Sequence, residues 1–359
     1  MIRQQYPAHR RLKDDLVYER LVVKQRQAKR TETKSYLESL MRVPRLAFLF
    51  CLFISAVGGA QDAPAPNKAE APPSKVFVLT GDTTSLPIVM VREFPFVAAT
   101  VNGVPGKLMF DTGQENALSL NDHKVPLKDG KVVGKMGFGS GQTFDVKLYP
   151  EVATVDLAGG SSYRSIPNVM GNNLVFMEED ITPDFLGFIG HSFYRGYLFK
   201  LDYKGNRITF YRQTDARRQS KDYLAGETVI ATVLFHTRKL PNHPIVPLTI
   251  GGVDFLGTFD TGMDGVVYMT KATQARLTEK RLLTSVWDRG DILYNITGIS
   301  LTPDIKATVS RIRVFNETPP SAAPMGTPEP DIIQFGYAFL RQYKTVWDFS
   351  ERKIYLLNP

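Results

Sequence analysis

The chain has 359 residues, 43% hydrophobic and 22% charged, enough for one large or two ordinary domains and too apolar for general disorder. Its single cysteine, Cys51, excludes an intramolecular disulfide framework and a cysteine-rich metal site. Of the net charge of +8, residues 1–40 supply +5 (10 Lys/Arg against 5 Asp/Glu) and Arg42 and Arg45 two more; the +1 left for residues 61–359 gives no support to a nucleic-acid groove along the body.

Taken in chain order, residues 1–60 read as an N-terminal extension plus a signal peptide. Residues 41–60 place Met41, two arginines, an apolar run from Leu46 to Val57 and then small residues, the pattern of an export signal with a translation start at Met41. The run is shorter than the roughly 20 apolar residues that span a bilayer, so no stable membrane insertion is expected and a signal-anchor is the lesser alternative. An exported, periplasmic or extracellular protein follows. Residues 61–75 are Ala/Pro-rich and read as a linker.

The body contains an internal repeat. Residues 95–113, PFVAATVNGVPGKLMFDTG, align without a gap on residues 244–262, PIVPLTIGGVDFLGTFDTG, with nine of nineteen positions identical. Residues 186–210 align on residues 332–356, with Gly190/Gly336, Phe193/Phe339, Arg195/Arg341, Tyr197/Tyr343, Asp202/Asp348 and Ile208/Ile354 identical. Two units result, 76–213 and 228–359, joined by a polar linker at 214–227.

Each unit reads as mainly β. Val97–Val101 is a strand, Asn102-Gly103 a hairpin turn, and Lys107–Phe110 a second strand that runs into Asp111; Gly251-Gly252 takes the same turn before Asp260. Ala117–Leu120 and Val266–Met269 return as strands, so each Asp-Thr-Gly lies in a loop between strands. His191–Tyr197 and Tyr337–Tyr343 are predicted to form one or two helical turns leading into hairpins.

A single Asp-Thr-Gly is an ordinary turn. Two copies, each preceded by Phe and by the same hairpin, suggest chemistry. If Asp111 and Asp260 meet about a two-fold axis, like charge at short range prevents easy ionisation of both, and one proton is shared. One carboxylate then takes a proton from a bridging water while the protonated partner polarises a scissile carbonyl. Thr112 and Thr261 can bond across the axis, and Gly113 and Gly262 allow close approach of the loops.

These motifs resemble the retropepsin-like aspartic peptidases, in a tandem form with both half-sites on one chain; the resemblance covers most of residues 95–356. It implies an all-β fold of two closed β-barrel lobes arranged as an intramolecular pseudo-dimer, with Asp111 and Asp260 catalytic. It also implies a hydrophobic-hydrophobic-Gly element packed under each loop, met by Phe188-Ile189-Gly190 and, with Gln334 in the first place, by Phe335-Gly336. The family has Ala or Ser after the tripeptide, where this chain has Gln114 and Met263.

The resemblance further implies an aspartic endopeptidase that takes an extended peptide or unfolded polypeptide as substrate, works as a monomer and needs no cofactor or metal. The alternative is an inactive peptide-binding protein of the same fold. A glycine-rich stretch, Gly137, Phe138, Gly139, Ser140 and Gly141, is the candidate flap, with 288–299 as its weaker counterpart. Asp202 and Asp348 are expected to make structural hydrogen bonds to Arg195 and Arg341 or to nearby backbone. The acidic run around Glu178 reads as a solvated loop, and the Pro-rich 318–331 as a loop without regular helix.

Overall fold

The computed structural model describes residues 76–137, 143–288, 290–303 and 305–359; the N-terminal extension, signal and linker expected before residue 76 lie outside the described residues. The first repeat supplies β1 (Thr83–Pro87), β2 (Val89–Val91), β3 (Phe94–Val101), β4 (Val104–Phe110), β5 (Leu118–Asn121), β6 (Lys131–Gly137), β7 (Thr143–Leu157), β8 (Ser162–Asn172), β9 (Phe185–Ile189), β10 (Tyr197–Asp202) and β11 (Arg207–Arg212). The second supplies β12 (Val229–Leu234), β13 (Ile245–Ile250), β14 (Val253–Phe259), β15 (Gly265–Tyr268), β16 (Leu283–Asp288), β17 (Asp291–Thr302), β18 (Ile305–Phe315), β19 (Ile332–Phe335), β20 (Lys344–Asp348) and β21 (Lys353–Leu357). The protein is mostly β, as its β-branched runs and turn dipeptides predict.

Within the first repeat the order β3-β4-β9-β5-β8-β7 closes through pairing of β3 with β7; within the second, β13-β14-β19-β15-β18-β17 closes through β13 with β17. The two rings match strand for strand. Each begins with the predicted hairpin, and both turns need left-handed backbone: Asn102 and Gly103 have φ of 47° and 81°, Gly251 and Gly252 59° and 78°. Asparagine and glycine accept that conformation at small cost.

A third sheet, β1-β11-β10-β20-β21-β12, takes three strands from each repeat. Its central pair is antiparallel, with Phe199 opposite Trp347, Lys200 opposite Val346 and Leu201 opposite Thr345. Lys200 and Val346 are equivalent positions at the 146-residue offset, so each repeat meets its own counterpart here. The 214–227 linker is not plain coil: it contains a short helix, Asp215–Ser220, N-capped by Thr214. Its last residue, Glu227, bonds Lys200 Nζ at 2.9 Å and Lys344 Nζ at 2.7 Å, one lysine from each repeat.

The core runs from this sheet to the loops that follow β4 and β14. Phe110, directly before Asp111, lies among Tyr194, Phe199 and Phe210. Phe259, directly before Asp260, lies among Phe335, Phe339 and Trp347. All are buried, and burying a side chain of this size contributes about 1.5–3 kcal/mol, which anchors each Asp-Thr-Gly at its N-terminal side. Trp347 joins the two halves by stacking on Phe199 at 5.5 Å. Trp347→Ala is therefore expected to lower stability by about 3–5 kcal/mol, and denaturant unfolding followed by circular dichroism checks it.

Some expectations are corrected. The Pro-rich 318–331 loop holds one helical turn, Ala322–Met325, ended by Gly326 at φ 75°. Glu178 is not in a solvated loop: it lies on the helix Val175–Asp180 and bonds Asn121 Nδ2 at 2.7 Å and His123 Nδ1 at 2.8 Å. Asp202 and Asp348, by contrast, make the expected structural bonds to nearby backbone: Asp202 accepts from Gly205 N–H at 2.7 Å and Asp348 from Glu351 N–H at 3.0 Å, with Gln213 and Ser350 as further donors to Asp348.

Candidate active site

The two Asp-Thr-Gly loops come together although 149 residues separate them. Thr112 N–H donates to Thr261 Oγ1 and Thr261 N–H to Thr112 Oγ1, both at 3.0 Å, and Thr261 Oγ1 donates to Phe110 O at 2.9 Å. Gly113 N–H donates to Asp111 Oδ1 at 2.8 Å and to Asp260 Oδ1 at 3.2 Å. A single N–H thus bridges the two carboxylates. Gly262 N–H donates to Asp260 Oδ1 at 2.8 Å. Asp111 and Asp260 are almost fully buried, as are both threonines.

Both glycines are sterically required. A Cβ on Gly113 would overlap the Asp260 carboxylate, and one on Gly262 would overlap that of Asp111. The absence of a side chain lets each carboxylate approach the opposite loop.

The predicted packing elements lie under the loops in matching fashion. Asp111 N–H donates to Ile189 O at 2.9 Å and Asp260 N–H to Phe335 O at 3.0 Å. The Gln114 carbonyl accepts from His191 N–H at 2.7 Å and the Met263 carbonyl from Tyr337 N–H at 2.9 Å. A Cβ at Gly190 would overlap the Gln114 and Asn116 carbonyls, and one at Gly336 those of Met263 and Asp264. Phe188 packs with Phe96, Met109 and Phe185 in a cluster of its own. Gln334, the departure from the hydrophobic pattern, is buried with its Nε2 donating to Ser321 Oγ at 3.2 Å. Gln114 is buried, and Met263 packs with Val266, Tyr268 and Met325.

Of the candidate flap, Gly137 ends β6, and Phe138, Gly139, Ser140 and Gly141 lie outside the described residues. The hairpin arms pair from Lys131 with Leu148 to Gly137 with Thr143. The counterpart in the second repeat is longer than 288–299: it begins at Leu283 and pairs through Asp288 with Asp291. Near its tip Trp287 and Ile292 are exposed and opposite one another, while Arg313 holds Asp291 at 2.8 Å.

Asn242, His243 and Tyr203, beside the site, were not singled out from the sequence. Asn242 and His243 precede the aligned block and are buried against the first loop: Asn242 Nδ2 donates to Thr112 O at 3.1 Å and Gly113 O at 2.7 Å. Burial holds the His243 imidazole below its usual range, opposed by the Asp260 charge and by a bond to the Gly113 carbonyl. Tyr203 is buried edge-on to Tyr337 at 5.2 Å. Its phenol is pushed above the usual range by burial, then by Tyr337 and Asp260. The equivalent pair, Phe349 and His191, is also edge-to-face, at 4.5 Å. The His191 imidazole is pushed down to about 3 by burial, then by Arg195 and His243.

Asp264, two residues beyond the second tripeptide, faces Glu93 in the β2–β3 turn. Burial, then the Glu93 carboxylate, push Asp264 up to about 7 against the pull of Arg313 and Arg341. Because the folded protein holds this proton more firmly than an unfolded chain, whose aspartate titrates at about 3.9, the contribution to stability is complete below that value. It is lost as pH rises through about 7. Asp264→Asn should gain melting temperature relative to the parent as pH is raised across that window, measured by thermal unfolding at a series of pH values.

No family model matches the chain, and no curated protein matches its sequence. Among the described residues no helix is long and apolar enough to cross a membrane, and no group of three His, Cys, Asp or Glu side chains converges as a metal site.

Proposed function

We propose that the chain is an exported aspartic endopeptidase of the retropepsin-like kind, its two repeats forming the lobes of an intramolecular pseudo-dimer. The observation that carries this reading is the Gly113 N–H shared by the carboxylates of Asp111 and Asp260, in loops locked by reciprocal threonine bonds. Two buried carboxyls held this close share one proton, because ionising the second places like charge beside the first.

In the proposed reaction the ionised carboxylate accepts a proton from a water lying between the pair, and the water oxygen bonds to the scissile carbonyl carbon. The protonated carboxyl gives its proton to the carbonyl oxygen, forming a neutral diol. The carboxyl that took the water's proton then passes it to the amide nitrogen while the other carboxylate takes a proton from a diol hydroxyl; the C–N bond breaks, releasing a carboxylic acid and an amine and leaving one proton on the pair. The substrate is an extended peptide, its backbone groups taken up by β-type pairing beneath the two hairpins β6–β7 and β16–β17. With both half-sites on one chain, a monomer is complete.

Asp111→Asn and Asp260→Asn, made separately, are each expected to lower kcat/KM on an unstructured fluorogenic peptide by at least about 10²–10⁴-fold while the far-ultraviolet dichroism and cooperative unfolding persist. Undiminished cleavage by either variant would refute the shared dyad. Tight peptide binding without turnover by the parent would favour a binding protein of the same fold.

A further inference from the structure

The alignment that matches Pro244 with Pro95 sets residues 238–240 against Val89–Val91, and the two repeats use this segment differently. In the first it is β2, paired with β3 so that Val89 lies opposite Phe96 and Val91 opposite Phe94. The second ring has no strand in this place among the described residues. Instead the chain from 237 to 243 runs between two loops. At one end the Arg238 guanidinium forks onto the Glu329 carboxylate at 2.8 and 2.7 Å and donates to Gly326 O at 2.9 Å, Lys239 Nζ donates to Ala323 O at 3.2 Å, and Leu240 packs against the cluster that holds Met325. All these partners belong to the Pro-rich 318–331 loop. At the other end Asn242 Nδ2 donates to Thr112 O at 3.1 Å and Gly113 O at 2.7 Å, and His243 bonds the same Gly113 carbonyl.

What Asn242 holds is the peptide on which the site turns. The Thr112 carbonyl and the Gly113 N–H belong to one planar group, so a donor that fixes the carbonyl fixes the direction of the N–H, which reaches Asp111 Oδ1 at 2.8 Å and Asp260 Oδ1 at 3.2 Å. The same donor also polarises that N–H through the peptide. One amide across two successive carbonyls sets both peptide planes that meet at Gly113, a residue with no side chain to restrain it and the widest backbone freedom. The corresponding residues of the first repeat do not brace the Asp260 loop in this way: Glu93 approaches Asp264, and Phe94 packs with Phe96 and Met109.

We propose that residues 237–243 are an inter-repeat brace that aims the shared Gly113 N–H at the two carboxyls. Asn242 is its positioning residue at the loop, and the forked Arg238–Glu329 pair, a geometry that fixes direction as well as distance, is the anchor that holds Asn242 in place. The consequence for turnover rests on the peptidase reading; the alignment of the N–H is a property of the resting protein.

Carbon-13 at the threonine carbonyl combined with nitrogen-15 in glycine restricts the amide spectrum to the four Thr-Gly pairs of the chain, 80–81, 112–113, 261–262 and 297–298. Asn242→Ala should move the Gly113 amide proton upfield, toward a weaker hydrogen bond, and leave that of Gly262 in place. On the fluorogenic peptide it should lower kcat about tenfold with KM unchanged, equivalent to about 1.4 kcal/mol. Glu329→Gln, at a half-buried position at the far end of the brace, keeps the test open if Asn242→Ala unfolds. It should move the same amide in the same direction by less and lower kcat about two- to threefold, and do neither when added to Asn242→Ala. A Gly113 amide that stays in place in either variant, or a Glu329→Gln effect of full size in the Asn242→Ala background, would overturn the brace and leave the dyad standing. A parent that turns over no peptide while the amide responds as expected would overturn the peptidase reading and leave the brace.

Discussion

Each Asp-Thr-Gly loop satisfies its threonine N–H with the other loop's threonine hydroxyl, at 3.0 Å in both directions. These groups are buried, and a buried donor left without an acceptor costs about 1–3 kcal/mol. Neither repeat can therefore present a finished loop alone. The strand pairing of Phe199–Leu201 with Thr345–Trp347 serves the same dependence by joining the two repeats through equivalent residues, with the Phe110 and Phe259 clusters between the shared sheet and the loops.

The equivalence is kept where packing sets the requirement and dropped where chemistry can differ. Tyr203 against Tyr337 and Phe349 against His191 occupy matching places with the same edge-to-face geometry, although their polar groups differ. The glycine under each loop is held by overlap with carbonyl oxygens on both sides, so no other residue fits there without moving the loop. At the entry to the first ring strand the halves differ: Asn242 and His243 lie against the Asp111 loop, whereas Glu93 approaches Asp264 and Phe94 packs with Phe96 and Met109.

The meeting of the half-sites was legible because duplication repeats every element that builds them: the hairpin, the Phe before Asp, the tripeptide and the downstream Gly. Asn102-Gly103 and Gly251-Gly252 signal hairpins because those dipeptides favour left-handed backbone, and both turns have it. Asn242 and His243 escaped because identity begins at Pro244 and the informative positions are those where the repeats disagree. The helix at Val175–Asp180 and the turn at Ala322–Met325 are too short to leave a periodic signal, and tertiary contacts decide them. Gln334 read as a defect in an apolar element, yet it spends its amide on Ser321 from the Pro-rich loop, a partner thirteen residues away that no local pattern indicates.

A duplicated structural turn is the simplest alternative account of the two tripeptides, and the energetics of the site argue against it. Removing two carboxylates from water costs several kcal/mol for each charge unless donors offset it, and asparagine at either position could accept the same backbone N–H bonds at lower cost. The chain instead buries both acids and turns the Gly113 and Gly262 N–H groups toward them. It also backs the Gly113 peptide with an amide from the other repeat. A structural turn has no use for two buried acids at that cost, whereas the proposed reaction needs both, one to take a proton and one to give it.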